Sequence, residues 1–299
     1  MDMSIIIVNW NTKELVYNCL ESIIKYTKDF QYEIILIDNA SRDKSVEMIQ
    51  LKFPSVILIK NKENVGFSCA NNQGIRIAKG KYTMLLNSDT YIKDNAFLHM
   101  MKFMEEKNDV GICGPKVLNP DLTPQPTRID QYKPFDSFLK ILGLYNYQNE
   151  IDRMDYDKIQ EVEVVGGCCM LFKKKVFESI GLMEESFFLY NEENDICLRA
   201  SKKKWKIVFF PVSIIFHIGG SSTSKKEISR KVERACYKSN IYFYKKNFSK
   251  QAFFLLYMTY KFVFVVKLLE LSFSYVMSLP SKKVKIKEKI ESKWSLLLT

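Results

Sequence analysis

The sequence is poor in the residue patterns of metal-binding and disulfide-linked modules. It contains seven cysteines but no CxxC pair, and it has only two histidines. The adjacent Cys168 and Cys169 suit neither a normal disulfide nor a zinc site, and the odd count leaves one cysteine without a partner. Most of the cysteines lie in apolar surroundings, so we expect free thiols in a reducing compartment.

Two further absences narrow the class of protein. The first residues lack a basic segment and a secretory apolar core, because the apolar run at 4–8 is too short. We therefore expect a cytoplasmic protein. No GxGxxG follows that run, where Asn9-Trp10-Asn11-Thr12 stands instead, so a Rossmann dinucleotide site is not expected.

Acidic residues are scarce in the last third of the chain. Of the 299 residues 47% are hydrophobic, which is enough for a large core, and the net charge is +11. Residues 201–299 hold 21 Lys and Arg against 5 Asp and Glu, whereas residues 1–200 hold 24 against 29. The basic third predicts a polyanionic neighbour, either a nucleic acid or an anionic membrane surface.

What the sequence does contain is a regular alternation of apolar runs and helical patterns. Strands are predicted at 4–8, 32–38, 56–60 and 82–86, with helices at 13–27, about 43–51 and 67–79 between them. Thr12 is a candidate cap for the first helix, and Ser41 or Asp43 for the second. This order predicts a parallel sheet with helices on both faces.

The second half of the chain continues less regularly. A helix is predicted at 96–107, strands at 110–115, 162–172 and 205–211, and helices at 174–179 and 196–203. Residues 118–160 hold four prolines and read either as a flexible segment over a site or as a variable surface insertion. Gly166 and Gly167 predict a bulge or a close backbone approach.

Asp89 follows the apolar run at 82–86 through a short polar step, Asn87-Ser88. A buried strand would deliver this carboxylate to the edge of the sheet, where ligands bind in open α/β folds. We interpret Asp89 as a metal ligand facing a diphosphate. The alternative is an ordinary polar exit from a strand.

Three carboxylates, Glu192, Glu193 and Asp195, fall within four residues after an aromatic run. Acidic residues at a helix start complement the helix dipole, which is a purely structural explanation. Carboxylates this close also raise the pKa of one of them, which suits a general base.

Three other positions have both a structural and a functional interpretation. His217 follows an apolar run and precedes glycines, which would let a phosphate or a metal come close. Asp38, at a strand end, would accept a hydrogen bond from a base or cap a helix. The segment Asn64-Val65-Gly66-Phe67 reads as a turn with Gly66 at positive φ.

Taken together and in order, these segments resemble family 2 glycosyltransferases, and in particular rhamnosyltransferase-like bacterial members. The segments are 4–11, Asp38-Asn39-Ala40-Ser41, Asn64-Val65-Gly66-Phe67 with Ala70, Asn71 and Gly74, Asn87-Ser88-Asp89, Gly166-Gly167, and 192–199. The resemblance covers about residues 3–220. Each motif alone is weakly specific, and the ordered set is the stronger signal.

The resemblance implies an α/β fold of the GT-A type, a Rossmann-like mostly parallel sheet flanked by helices. It also implies inverting transfer of a sugar from a nucleotide diphosphate sugar to a saccharide or polyprenyl-linked acceptor, with no nucleic-acid partner. Binding of the nucleotide sugar is implied for Asn9, Asn11, Asp38, Asn64, Gly66, Asn71, Ser88 and Gly167.

For the chemistry, the resemblance implies that Asp89 and His217 bind Mg²⁺ or Mn²⁺ and that Glu193 is the catalytic base. Asp195 and Glu192 would contact the acceptor, and Arg199 would pair with these carboxylates.

Two positions depart from the family pattern. Asn87 stands where the first aspartate of a DxD motif is usual, and a neutral amide binds a hard cation more weakly than a carboxylate does. Glu193 stands where the family usually has an aspartate, so its longer side chain must be set back by about one methylene.

The basic last third is assigned to a separate region, residues 225–299, after a catalytic domain at 1–224. Its apolar stretch at 252–279 contains three charges, Lys261, Lys267 and Glu270. That interruption favours helices packed on the domain or lying in a membrane interface over a spanning helix. The lysines that follow suit anionic lipid, or else form a solvated tail. A location at the inner face of the cell membrane would bring the enzyme close to a lipid-linked acceptor.

Two other functions remain as alternatives. A nucleotidyltransferase is also built on a nucleotide-binding parallel sheet, but it would need a glycine-rich basic loop after the first strand. A non-catalytic module on the same fold would bind a membrane or a nucleic acid through the basic region.

Overall fold

The structure is a computed structural model that describes residues 1–125, 138–139, 141–142, 144, 155–219, 226–278 and 280–298. Most of the proline-containing segment 118–160, and the residues 220–222 after His217, lie outside the described residues. By its contacts the chain forms two units, and the second contains the helices beyond residue 225.

Nine strands and nine helices are described. The strands are β1 Met3–Asn9, β2 Tyr32–Asp38, β3 Ile57–Lys60, β4 Tyr82–Asn87, β5 Thr90–Tyr91, β6 Val110–Leu118, β7 Gln160–Glu161, β8 Cys169–Lys173 and β9 Lys206–His217. The helices are α1 Lys13–Tyr26, α2 Ser45–Lys52, α3 Phe67–Ile77, α4 Ala96–Glu106, α5 Lys174–Ile180, α6 Glu192–Lys202, α7 Lys226–Asn247, α8 Lys250–Met277 and α9 Pro280–Leu298.

The first four strands form the parallel sheet that the sequence predicts. Strand β1 lies between β2 and β4, and β2 pairs with β3, all in parallel register. Ile5 and Ile7 pack into the core on one face of the sheet and Ile6 packs into the core on the other. Because both faces are covered by helices, β1 has no polar alternation, as expected for a buried parallel strand.

Beyond β4 the sheet becomes mixed. Strand β8 runs antiparallel between β4 and β6, β9 pairs in parallel with β6, and the short β5 pairs antiparallel with β9. Two reversals restore the original direction, so β6 and β9 point the same way as β4. The last residue of β9 therefore emerges at the same edge of the sheet as the last residues of β1, β2 and β4.

Several elements differ from their predicted bounds, among them β8, which begins at Cys169 rather than at residue 162. Helix α6 begins at Glu192 rather than at residue 196, because Tyr190 and Asn191 both have positive φ and turn the chain into the helix earlier. Strand β9 continues through Pro211 to His217, and a register shift opposite Pro115 and Lys116 accommodates the irregularity.

The second unit is a helical assembly in which each helix contributes one buried side chain to a common cluster. Tyr237 from α7, Phe264 from α8 and Leu296 from α9 form this cluster. The lysine-rich segment is therefore helical as α9 rather than an extended tail. Among the described residues, α8 alone has the length and apolar composition to cross a membrane.

Candidate active site

Three neighbouring strands of the sheet end in polar side chains at one edge. Asn9 ends β1 directly opposite Asp38, which ends β2, and Asn87 ends β4 on the other side of β1. Asn9 and Asp38 are almost completely buried. Open α/β sheets bind ligands at this edge. Asn9 and Asp38, which are predicted to bind the nucleotide sugar, both lie there.

Ser41 ties the loops after β1 and β2 together. Its hydroxyl accepts from the Asn9 side chain at 3.1 Å and from the Asn11 backbone N–H at 2.9 Å. The Asp38 carboxylate accepts from Asn9 Nδ2 and from the Ser41 N–H, both at 2.9 Å. A carboxylate has about four lone-pair sites, so Asp38 retains acceptor capacity for a further donor.

Thr12 connects this pocket to the loop after β4. Its hydroxyl donates to Asn9 Oδ1 at 2.7 Å and lies 3.0 Å from Ser88 Oγ. Thr12 occupies the N-cap position of α1, as predicted, but its side chain makes no capping hydrogen bond. The hydroxyl instead links Asn9 to Ser88, which is predicted to bind the nucleotide sugar.

The loop before α3 is closed by a tight backbone contact. Gly66 has φ +87°, as predicted, and its N–H donates to Asn64 Oδ1 at 3.0 Å. A Cβ at Gly66 would lie 2.9 Å from the carbonyl oxygen of Phe188, so only glycine fits. Asn71, one turn into the helix, is buried and donates to the Phe67 carbonyl at 3.0 Å.

Asp89 and His217 meet although 128 positions separate them in the sequence. Thr90 pairs with His217 in the β5–β9 ladder, and the Ile218 N–H donates to the Asp89 carbonyl. His217 Nε2 consequently lies 3.2 Å from Asp89 Oδ1. The sheet thus brings together the two residues predicted as metal ligands.

Gln125 orients the His217 ring and sets which tautomer the neutral ring adopts. Its Nε2 donates to the carbonyl oxygen of His217 at 2.6 Å and to Asn119 Oδ1 at 2.7 Å, which identifies that atom as the NH₂ group. Oε1 of the same amide lies 2.9 Å from His217 Nδ1 and must accept from it. The lone pair of a neutral ring is then on Nε2, facing Asp89.

The donor set at this point fits a divalent cation. A carboxylate oxygen and an imidazole lone pair repel each other at 3.2 Å unless a proton or a cation lies between them. Both atoms are common ligands of Mn²⁺ and Mg²⁺, the imidazole less so for Mg²⁺. The described residues contain no group of three or more His, Cys, Asp and Glu that could hold a metal, so further ligands would come from a substrate or water.

The acidic cluster divides by burial. Glu192 and Asp195 are buried, whereas Glu193 is partly exposed. Asp195 was expected to contact the acceptor. It has no exposed surface, however, and Arg199 Nε donates to its Oδ2 at 2.7 Å. Arg199 also donates to two backbone carbonyls, those of Ile180 and Leu182. This pair anchors α6, as expected for Arg199, and leaves Glu193 as the partly exposed carboxylate of the cluster.

Glu193 lies beside the end of β4. A Cβ at Gly167 would be 3.6 Å from Glu193 Cβ, and the next carbonyl, that of Cys168, accepts from the Asn87 N–H at 2.9 Å. Burial raises the pKa of the Cys168 thiol to about 12, and the carboxylates of Asp89 and Glu193 add to the effect. The Cys168 thiol is therefore within electrostatic range of both carboxylates, those of the predicted base and the predicted metal ligand.

Backbone strain delivers Glu193 to this position. Tyr190 has φ +70° and Asn191 φ +69°, two consecutive non-glycine residues in the left-handed region. Such conformations cost of order 1–3 kcal/mol each and concentrate at functional sites. The Asp195 N–H then donates to the Asn191 carbonyl and starts the helix.

Three residues that organise this site, Ser41, Thr12 and Gln125, had no predicted role in it. Thr12 and Ser41 stood out as candidate helix caps, and Ser41 also as the last residue of one of the motifs. Gln125 lies at the start of the proline-containing segment, and nothing in its sequence context indicates a contact with a histidine 92 positions later.

A sequence model described as glycosyl transferase family 2 matches residues 4–181, more than half of the chain. One relative is the low-salt glycan biosynthesis hexosyltransferase Agl10 of Haloferax volcanii. It is 28% identical over 214 residues, which are 69% of this chain and 64% of the relative. A poly(ribitol-phosphate) beta-glucosyltransferase of Bacillus spizizenii is 34% identical over 40% of this chain and 20% of its own length. The chain thus spans less than two thirds of these relatives.

A third relative and two solved structures extend the comparison. The UDP-Glc:alpha-D-GlcNAc-diphosphoundecaprenol beta-1,3-glucosyltransferase WfaP of Escherichia coli is 36% identical over 34% of this chain and 41% of its own. GalNAc-T7 with UDP, GalNAc and Mn²⁺ superimposes with a TM-score of 0.59 at 20% identity, over 82% of this chain and 50% of that one. The mannosyltransferase PcManGT of Pyrobaculum calidifontis with GDP-Man and Mn²⁺ gives 0.57 at 13% identity, over 99% and 84%. At these identities the structures show the fold, which is of the GT-A type.

Proposed function

The chain belongs to glycosyl transferase family 2, and from this premise we propose that it is a metal-dependent, inverting hexosyltransferase. It moves a sugar from a nucleotide diphosphate sugar to a saccharide or polyprenyl-linked saccharide in the synthesis of a bacterial surface polysaccharide. The work takes place in the cytoplasm at the inner face of the cell membrane.

One observation carries the proposal more than any other. Of the three carboxylates at the start of α6, Glu193 is the most exposed, and it lies beside Gly167 at the edge where β4 ends. A general base must be within reach of the hydroxyl that it deprotonates, and the two buried carboxylates are not.

The chemical step needs a single displacement. Glu193 accepts the proton of the acceptor hydroxyl while that oxygen attacks the anomeric carbon of the donor. The bond from this carbon to the diphosphate oxygen breaks on the opposite face, and the nucleoside diphosphate leaves with the electron pair. The configuration at the anomeric carbon inverts, and no covalent intermediate with the protein forms.

The donor is held at the edge of the sheet. Asp38 accepts from the nucleobase in a pocket lined by Asn9 and Asn11, whose positions Ser41 fixes. The stretch from Asn64 to Asn71, with Gly66, contacts the ribose and the phosphates. Ser88 and Gly167 contact the diphosphate and the sugar of the donor, next to the catalytic base Glu193.

Asp89 and His217 would hold the cation, Mg²⁺ or Mn²⁺. A bound divalent ion would neutralise the charge that develops on the departing diphosphate oxygens. Asn87 adds no charge there, so the affinity for the free ion is expected to be modest and to rise when the diphosphate supplies ligands.

The donor sugar is narrowed to a hexose or deoxyhexose. The relatives include a hexosyltransferase and two glucosyltransferases, which supports a UDP-linked hexose as a first candidate. The resemblance to rhamnosyltransferase-like members supports dTDP-rhamnose as a second.

A donor screen tests the proposal. The full chain is incubated with UDP-, GDP- and dTDP-linked hexoses and Mn²⁺ or Mg²⁺, and the release of nucleoside diphosphate and transfer to saccharide acceptors are measured. We expect one donor class to be turned over, with Glu193→Gln lowering transfer by about 10²–10⁴-fold. Glu178→Gln, on the exposed face of α5, is the matched control and should leave the rate unchanged.

The screen also distinguishes the alternatives. Release of pyrophosphate from a nucleoside triphosphate with a sugar phosphate would indicate a nucleotidyltransferase. Full transfer activity in Glu193→Gln would contradict the assigned base, and no turnover of any donor would favour a non-catalytic module.

A further inference from the structure

Helix α8 carries a long apolar surface that the rest of its unit leaves open. Met258, Phe262, Val265, Leu269, Phe273 and Val276 recur at intervals of three and four residues and are 42% to 71% exposed. We call these six residues the apolar stripe. At 1.5 Å per residue the stripe is about 27 Å long. Soluble proteins rarely leave such a continuous apolar surface without a partner.

The opposite face of α8 is used for packing within the unit. Leu256, Phe264 and Leu268 are buried, and Phe264 joins the cluster with side chains from α7 and α9. Asn240 of α7 donates to the Tyr260 hydroxyl on this same side. The helix is therefore fixed by one face and presents the other.

The three charges within the apolar part of α8, after Lys250 at its start, avoid the stripe. At 100° per residue Lys267 and Glu270 fall on other faces of the helix. Lys261 flanks the stripe, but its ammonium donates to the Leu297 carbonyl of α9. The charges that interrupt the apolar sequence thus do not interrupt the apolar surface.

Charge decides between a lipid surface and a second copy of the chain. Residues 250–298 hold nine lysines and three glutamates. Pairing two stripes would bring two such basic segments together, whereas an anionic membrane attracts them. We propose that the apolar stripe docks on an anionic lipid bilayer, with α8 lying in the interface and not spanning it.

The packing of α8 excludes a spanning orientation for it alone. A helix that crosses the hydrocarbon core would draw the helices packed on its other face in with it, and α9 carries six lysines over its length. A charged side chain at the bilayer centre is strongly disfavoured. An interfacial helix needs only one apolar face, which is what α8 has.

This inference deepens the proposed function, because a lipid-linked acceptor is presented at the same surface. It does not depend on catalysis, however, and its test uses binding alone. Binding of the purified full chain is measured by co-sedimentation with phosphatidylcholine vesicles and with phosphatidylcholine vesicles containing phosphatidylglycerol. We expect at least about tenfold stronger binding to the anionic vesicles.

Two sets of substitutions separate the stripe from the lysines. Phe262→Gln, Leu269→Gln and Phe273→Gln together should lower binding to both vesicles by at least about tenfold. Replacing Lys283, Lys287 and Lys289 by Gln should remove only the preference for anionic lipid. The matched control replaces Ile24, Leu51 and Ile77, exposed apolar residues of the first unit, by Gln and should bind as wild type does.

Further readouts keep the outcomes distinct. The stripe variant should keep the circular dichroism of wild type, since its replaced side chains are exposed, and should keep donor hydrolysis in the absence of vesicles. Wild-type vesicle binding by the stripe variant would overturn the proposal. The proposal would also be overturned if wild type did not bind vesicles but formed a concentration-dependent dimer that the stripe substitutions abolish.

Depth distinguishes lying in the interface from spanning. In the variant Phe262→Trp, the added fluorescence should be quenched more by lipids brominated near the headgroup than by lipids brominated at the chain end. The reverse order would overturn the interfacial orientation.

Discussion

Gln125 and His217 are joined by two hydrogen bonds, from Nδ1 to Oε1 at 2.9 Å and from Nε2 of the amide to the histidine carbonyl at 2.6 Å. Together they fix both the ring plane and the tautomer, and they direct Nε2 at Asp89. Partners of this kind behind a metal-binding histidine typically contribute 10–100-fold to affinity. Gln125 is therefore a positioning residue that acts through His217.

The first prediction concerns metal affinity. Gln125→Ala should weaken Mn²⁺ binding by about 10–100-fold, because the His217 ring loses the bonds that orient its lone pair. Titration followed by electron paramagnetic resonance, with and without UDP, measures this directly and independently of turnover. Gln160→Ala, which removes an amide that donates to the Asp155 carbonyl, is the control and should bind as wild type does. Unchanged affinity in Gln125→Ala alongside a loss in His217→Ala would show that the ring needs no such support.

The second prediction concerns the buried ion pair of α6. Asp195→Asn leaves the Arg199 guanidinium, which is only 20% exposed, without its counter-charge. We expect a loss of about 3 kcal/mol in the free energy of unfolding. The thermal midpoint should fall by roughly 10 °C.

Asp157→Asn is the control for that measurement. It removes a carboxylate that also pairs with a lysine, Lys116, but is 86% exposed. Exposed pairs contribute little, so the midpoint should hardly move. If the two variants melted alike, the Asp195–Arg199 pair would not be the anchor of α6.

The third prediction concerns the reactivity of Cys168. Burial, with the charges of Asp89 and Glu193, raises the pKa of this thiol to about 12. Only the thiolate reacts with alkylating reagents, and its fraction grows as the pH rises toward the pKa. Compared with a thiol of pKa 9, the thiolate fraction near neutral pH is lower by about 1000-fold. Labelling of Cys168 should therefore be slow and should keep accelerating with pH well beyond pH 9.

Peptide mass spectrometry of iodoacetamide-treated protein follows each cysteine separately. Cys69 on α3 is also partly exposed, but burial raises the pKa of its thiol less than that of Cys168, so it should label faster. Asp89→Asn removes one of the two charges and should speed labelling of Cys168. Equal rates for the two cysteines in wild type would contradict the charged environment assigned to this thiol.

The elements of the fold were predictable because a strand that is buried on both faces needs a short, uninterrupted apolar run in the sequence. Strands β1, β2 and β4 stand out since both faces of each are covered, and the polar residue that ends each run marks the sheet edge. The common edge follows from parallel order alone. Asp38 and Asp89 were therefore placed correctly at this edge, although their roles there remain predictions.

What could not be predicted depends on contacts between distant segments. Asp195 is fully buried because Arg199 reaches it while donating to carbonyls at and just after the end of α5, and a run of acidic residues does not reveal which one faces inward. Thr12 resembles a helix cap in sequence, yet Ser88 lies 76 positions away and 3.0 Å from its hydroxyl. Such pairings are set by the closing of the sheet edge.

The last prediction separates backbone strain from steric contact at Gly66. Gly66 and Gly181 both have positive φ, +87° and +77°, so an alanine is strained at either position. A Cβ at Gly181 would meet no atom within 4 Å, whereas one at Gly66 would lie 2.9 Å from the Phe188 carbonyl. Gly181→Ala should therefore cost of order 1–3 kcal/mol, the backbone strain alone, because ψ −175° at this φ is essentially restricted to glycine. Gly66→Ala should cost at least about twice as much, because the loop that carries Phe188 must move. Chemical denaturation measures both costs.

Since that loop leads into α6, Gly66→Ala should also displace Glu193 and lower transfer, while Gly181→Ala should not. Equal costs and equal activities would show that the Phe188 contact has no role in positioning the base.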